Sequence, residues 1–171
     1  MSTDQPFLAL TVGNTRTTTA SITGNEINVT KSFDSSDTSA IVEQTLKEWK
    51  VIDSESPQII LASSNDKASE NISAALADQT SRQIWQIGED VPVAIGQHLD
   101  PETITGVDRL LNAAASWDIC NQACVVIDAG TCVTIDFVDG EGTFHGGAIA
   151  PGARMQLQAM HNGTSALPEV E

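Results

Sequence analysis

Cys124-Val125-Val126-Ile127-Asp128-Ala129-Gly130-Thr131 is the stretch that decides the fold. An unbroken apolar run enters a turn built from a carboxylate, a glycine and a hydroxyl. A second run, Cys132 to Val138, leaves that turn rich in Val, Thr and Ile. The same grammar stands near the start of the chain. Phe7-Leu8-Ala9-Leu10 runs into Thr11-Val12-Gly13-Asn14-Thr15, and Thr-rich sequence follows. Each reads as a buried strand, a tight turn and a second strand. Two such turns, one in each half, suit a nucleotide phosphate chain. Backbone N–H groups and small hydroxyls approach phosphate oxygens only where no bulky side chain intervenes. Alone, either turn is equally an ordinary hairpin.

Working outward, residues 7–12, 17–23 and 26–33 read as an antiparallel meander, turning at Thr23-Gly24-Asn25. Residues 38–50 carry Ile41, Val42, Thr45, Leu46 and Trp49 on one helical stripe, with Ser36 or Asp37 as cap. A short strand at 58–62, a helix at 67–78 and a strand at 82–87 complete a mixed α/β half. Gly88, Pro92, Gly96 and Pro101 punctuate a connection over 88–104. Beyond it the pattern predicts a helix at 106–118, strands at 122–128, 132–138 and 143–145, a glycine loop, and a helix at 152–161. The domains are therefore placed at 1–95 and 105–171.

Composition narrows the function. The 171 residues carry a net charge of −15 with only 8 Lys plus Arg, and 40% are apolar. A basic face for nucleic acid or anionic membrane is missing from that composition. The acidity also suits plain solubility or a salty medium. A polyphosphate ligand would need cations to neutralise it. Cys120, Cys124 and Cys132 lie among apolar residues without zinc-ligand spacing, so buried free thiols are expected. Met1-Ser2-Thr3-Asp4-Gln5 has no basic or apolar leader character, which points to a cytoplasmic protein.

Three further elements carry chemistry. In Thr105-Gly106-Val107-Asp108-Arg109, Asp108 falls three residues after Thr105. This is either a capping box or a general base at a helix start with Arg109 gripping an anion. Asp128 ends an apolar strand and needs a partner, a bound cation or local N–H groups; Asp136 stands ready as a second carboxylate. Gly146-Gly147-Ala148-Ile149-Ala150-Pro151-Gly152 opens a helix, its glycines admitting either a ligand or close packing. His145 reads as structural.

In this order the elements resemble the type III pantothenate kinase family, of the acetate and sugar kinase/actin-like superfamily. The matching stretches are Thr11 to Thr15, Gly106 to Arg109, Asp128 to Thr131, Gly146 to Gly152 and Thr164-Ser165-Ala166-Leu167-Pro168. The resemblance implies an α/β, ribonuclease H-like (actin-like ATPase) two-domain fold with an incomplete second domain. It implies ATP-dependent phosphorylation of pantothenate to 4'-phosphopantothenate, the first step towards coenzyme A. Asp108 would accept the hydroxyl proton, and Gly106, Val107, Asp108 and Arg109 would line the pantothenate site. Thr11, Val12, Gly13, Asn14, Thr15, Arg16 and Thr131 would contact ATP. Asp128 would hold K⁺ or NH₄⁺, and Mg²⁺ would accompany ATP. Thr11 stands where the family has aspartate. That departure also suits a catalytically impaired relative acting as a ligand-binding or regulatory protein. The apolar strands of the second half read as a sheet covered on both faces. With few elements to cover them, one face or edge is expected to stay open and the chain to associate, most simply as a homodimer.

Overall fold

The computed structural model describes residues 5–52 and 57–170. The chain divides into two compact units, Met1–Pro92 and Val93–Glu171.

The first unit holds β1 (Phe7–Val12), β2 (Arg16–Thr23), β3 (Glu26–Asp34), α1 (Thr38–Val51), β4 (Gln58–Ser63), α2 (Asp66–Thr80) and β5 (Ile84–Gln86). Its sheet order is β3-β2-β1-β4-β5. The meander β1-β2-β3 is antiparallel, whereas β1, β4 and β5 run parallel. Alternation decides which face is buried: Leu8, Leu10 and Val12 of β1 and Ile59 and Leu61 of β4 point one way. Ile41 and Val42 of α1 and Ile72 and Leu76 of α2 pack with them in one cluster. The β2 residues on that face are Thr17, Thr19 and Ser21, all buried. Asp37 caps α1 by accepting from Ala40 N at 3.0 Å, and Asn65 caps α2 by accepting from Ala68 N at 3.2 Å.

The second unit holds β6 (Gly96–Gln97), α3 (Val107–Cys120), β7 (Cys124–Ala129), β8 (Cys132–Val138), β9 (Thr143–Pro151) and α4 (Ala153–Gly163). Its sheet order is β6-β9-β8-β7. The antiparallel run β7-β8-β9 repeats the architecture of β1-β2-β3. Leu110 and Ala113 of α3 bury Val138 and Phe144, with Cys124, Val126 and Trp117 around them.

Three expectations change. The glycine loop is strand: β9 runs through Gly146 and Gly147 to Pro151, with a register shift opposite Asp136/Val138. A Cβ on Gly147 would sit 2.8 Å from both the Asp136 Cα and Oδ1, so the glycine serves close packing of two strands. The connection contributes β6, which pairs parallel with β9. The thiols are free but not buried: Cys120 and Cys132 are exposed and Cys124 is half-buried, because they sit at element ends. As the shortage of covering elements in the second half leads one to expect, the second sheet is covered on one face only. Val125 (60%), Ile127 (65%), Ile135 (45%) and Phe137 (44%) remain exposed on the other face. They form the directly opposed pairs Val125–Phe137 and Ile127–Ile135. Among the described residues, no helix is long and apolar enough to cross a membrane.

Candidate active site

The first loop is a tight reversal between β1 and β2, closed by the Gly13 N–H donating to the Arg16 carbonyl at 2.9 Å. No residue in it has a positive φ. Its glycine therefore serves approach rather than backbone twist: a Cβ would stand 3.0 Å from the Arg16 carbonyl oxygen. Ser35 fixes the loop from β3's end. Its hydroxyl donates to the Gly13 carbonyl at 2.8 Å, and its N–H donates to the Thr15 carbonyl at 3.0 Å. From β4's end, the Ser64 N–H donates to the Val12 carbonyl at 3.0 Å. Val12 is buried, so its side chain belongs to the core. Thr11, Asn14, Thr15 and Arg16 are exposed. Thr11 pairs with Thr18 on one side and Ala62 on the other. Asn14 also lines a cavity of about 280 Å³ with the starts of α1 and α2, including Lys67.

The second loop closes through the Gly130 N–H donating to the Cys132 carbonyl at 2.8 Å, while the Thr131 carbonyl accepts from Gly152 N at 3.1 Å. Thr131 is exposed. Asp128, also exposed, accepts from Asn112 Nδ2 of α3 at 3.0 Å through Oδ2. Among the described residues, no group of three or more His, Cys, Asp or Glu is placed to hold a metal ion.

The start of α3 carries the remaining residues. The N-cap is Gly106, with no side-chain cap bond, so Thr105 does not form the capping box that its spacing suggests. Asp108 stands in the first turn, exposed. Its carboxylate curls back over the space that a Gly106 Cβ would fill. The helix dipole favours a negative charge there. Arg109, next to it, turns inward. Its Nε donates to Asp136 Oδ2 at 3.0 Å, and its Nη2 pairs with Asp136 Oδ1. Its guanidinium carbon lies 5.9 Å from the Phe144 ring centroid. The Asp136 bond raises the Arg109 pKa further, against the opposing effect of burial. Asp136 is thus engaged by Arg109 and is no second cation carboxylate.

Arg109 opens onto a cavity of about 460 Å³ lined also by His98, Asp100, Thr103, Thr105, His145 and Gly146. Of the residues from Gly106 to Arg109, Arg109 alone lines it. Two histidines absent from the expected site do line it. His145 Nε2 meets Asp139 Oδ2 at 2.6 Å, and its ring stacks edge-on against His98 at 5.2 Å. That bond holds the Asp139 carboxyl down at about 2. Alternation along β9 was the available signal, since His145 follows the buried Phe144 on the next strand position.

Order and fold together define the class: a two-sheet, ribonuclease H-like α/β protein. The phosphatase Ppx/GppA of Aquifex aeolicus aligns with a TM-score of 0.53, 11% identity, 96% of this chain and 58% of that one, which shows the fold. The family model for type III pantothenate kinase matches residues 7–171, and the chain belongs to that family. The type III pantothenate kinase of Dinoroseobacter shibae is 30% identical over 173 residues, covering 96% of this chain and 67% of that protein. That of Rhodopirellula baltica is 48% identical over 83 residues, covering 48% of this chain and 30% of that protein. The chain thus spans only part of the length of the curated relatives it matches.

Proposed function

We propose that the protein transfers the γ-phosphoryl group of ATP to the hydroxyl of pantothenate, giving 4'-phosphopantothenate. The observation that carries this reading is the start of α3. An exposed carboxylate, Asp108, stands there beside an arginine that is fixed by Asp136 and faces a cavity. Phosphoryl transfer asks little covalent chemistry of the protein. It asks for an oriented hydroxyl, a proton acceptor and neutralised phosphate charge. Arg109 and its neighbours on the cavity wall, Thr103 and Thr105, bind and orient the acceptor. Asp108 takes the hydroxyl proton as the new P–O bond forms, and ADP leaves with the electrons of the broken bond. Each glycine loop offers N–H groups and hydroxyls to phosphate oxygens.

Cations supply charge neutralisation when bound. Asp128 fits a monovalent ion: one carboxylate oxygen is taken by Asn112 and the other is left to face a weakly held K⁺ or NH₄⁺. A protein-held Mg²⁺ does not fit the first loop, because Thr11 brings no carboxylate. Mg²⁺ would be carried by the ATP phosphates. Thr11 also favours a second reading, a relative that binds pantothenate without turnover. The exposed pairs on the second sheet support a homodimer.

The test is pantothenate-dependent release of ADP, with the phosphorylated product identified by mass. Asp108→Asn is expected to lower kcat about 10²- to 10⁴-fold at unchanged melting temperature. Pantothenate binding without product would select the second reading. Full turnover in Asp108→Asn would remove Asp108 as the base.

A further inference from the structure

We propose that Asp136 is a positioning residue, which presents one chosen edge of the Arg109 guanidinium to the substrate. A guanidinium has two useful edges. Asp136 takes the Nε/Nη2 edge, with Nε at 3.2 Å from Oδ1 and 3.0 Å from Oδ2. Phe144 lies against the guanidinium at 5.9 Å from its ring centroid and restricts tilting. What remains is the outer edge at Nη1, and the cavity is where Arg109 opens. A planar fork held this way recognises a planar oxyanion, such as a carboxylate, by two parallel hydrogen bonds.

The fold around Asp136 serves this arrangement. Its side chain is 2% exposed, so it is a buried charge whose partner is the arginine alone among the described residues. A buried carboxylate of this kind is costly without that pairing. The β8–β9 register shift falls at Asp136/Val138. A Cβ on Gly147, opposite Asp136, would collide first with the Ile135 carbonyl and then with the Asp136 Cα and Oδ1, so only glycine lets the two strands close around this carboxylate. A carboxylate meant for a solvated cation would face the open side of the strand. This one is turned towards α3 and sealed.

The inference rests on the reading of the cavity as the pantothenate site. Its test uses the intact protein, with pantothenate affinity from calorimetry and KM and kcat from ADP release. Asp136→Asn keeps the shape and removes the charge. It is expected to weaken pantothenate binding and raise its KM about 10- to 100-fold, with the KM for ATP within about twofold of the parent. A parent protein that binds pantothenate while Asp136→Asn binds it equally well overturns the inference and spares the site. A parent that binds no pantothenate overturns both. Chemical rescue decides the matter where Asp136→Asn folds poorly. In Arg109→Ala, added guanidinium at low millimolar concentration should restore binding and ammonium should not, since only a planar fork fits between Asp136 and the cavity. Equal rescue by both ions overturns the proposal.

Discussion

The two units start their helices in opposite ways. In the first, α1 and α2 begin on Asp37 and Asn65, side chains that accept hydrogen bonds from the helix's own N–H groups. In the second, α3 and α4 begin on Gly106 and Gly152 with no side-chain cap. Neither glycine has a positive φ, so backbone twist does not explain them. Space does. A Cβ at Gly152 would meet the fixed carbonyls of Gly130 and Thr131, whereas one at Gly106 would meet only the end of the exposed Asp108 side chain and push it from its place over the helix start. The first unit spends its helix starts on stability. The second keeps them bare, which leaves α3's first turn to Asp108 and seats α4 against the second loop.

Burial repeats the contrast. Among the described residues, ten buried residues make the first unit's cluster, whereas four make the second's. Leu61→Ala should therefore cost about 2–5 kcal/mol in chemical denaturation of the first unit. Ile127→Ala, on the open face, should cost within about 0.5 kcal/mol in a dilute, monomeric sample and more where a second chain covers that face. An Ile127→Ala penalty matching that of Leu61→Ala would mean the open face is covered in solution, and sedimentation of both proteins would show by how many chains.

The caps separate next. Asp37→Ala should lose about 1 kcal/mol of stability. Gly106→Ser installs a better capping residue and would stabilise a helix that had no other duty. Here it should bring no gain in melting temperature and should lower turnover roughly tenfold or more, because it displaces Asp108. A stabilised and fully active Gly106→Ser would show that the bare cap serves nothing.

The smallest effect lies in the β8–β9 hairpin. The Asp139 carboxyl titrates at about 2, below its ordinary 3.8, because His145 hydrogen-bonds to it. A depressed acid contributes stability above the ordinary carboxylate range and loses it as pH falls towards 2. Carbon-detected NMR should place the midpoint there, and His145→Ala should raise it part of the way to the ordinary carboxylate range, since the Thr143 and Glu141 N–H groups still donate to Asp139. An unmoved midpoint would dissolve the pair.

Most of the first unit was legible because its signals are local. Period-two alternation marks β1, β4 and their buried face, and the stripe from Ile41 to Trp49 marks α1. The second unit was legible in its elements and not in its contacts. Asp136 and Arg109 are 27 residues apart, and no spacing rule joins them. Gly146 and Gly147 read as loop because glycine is a turn signal, while the strand needs Gly147 for room beside Asp136. That a face of the second sheet stays open was legible from its few covering elements, and which face was not. Val125 to Ile127 is apolar on both sides, and a sequence does not say which side finds a cover. His145 reads as structural, and its partners Asp139 and His98, from the hairpin and a distant connection, are contacts that no spacing rule supplies.

Pantothenate in the cavity at the start of α3 is what every role proposed for Asp108, Arg109 and Asp136 depends on. Backbone amide shifts of the intact protein, followed during titration with pantothenate, test it most directly. The account predicts that the largest saturable shifts fall on Thr105 to Arg109 and on His145 to Gly147, and that Arg109→Ala abolishes them. Shifts confined to residues 5–92, or none at saturating pantothenate, would contradict it.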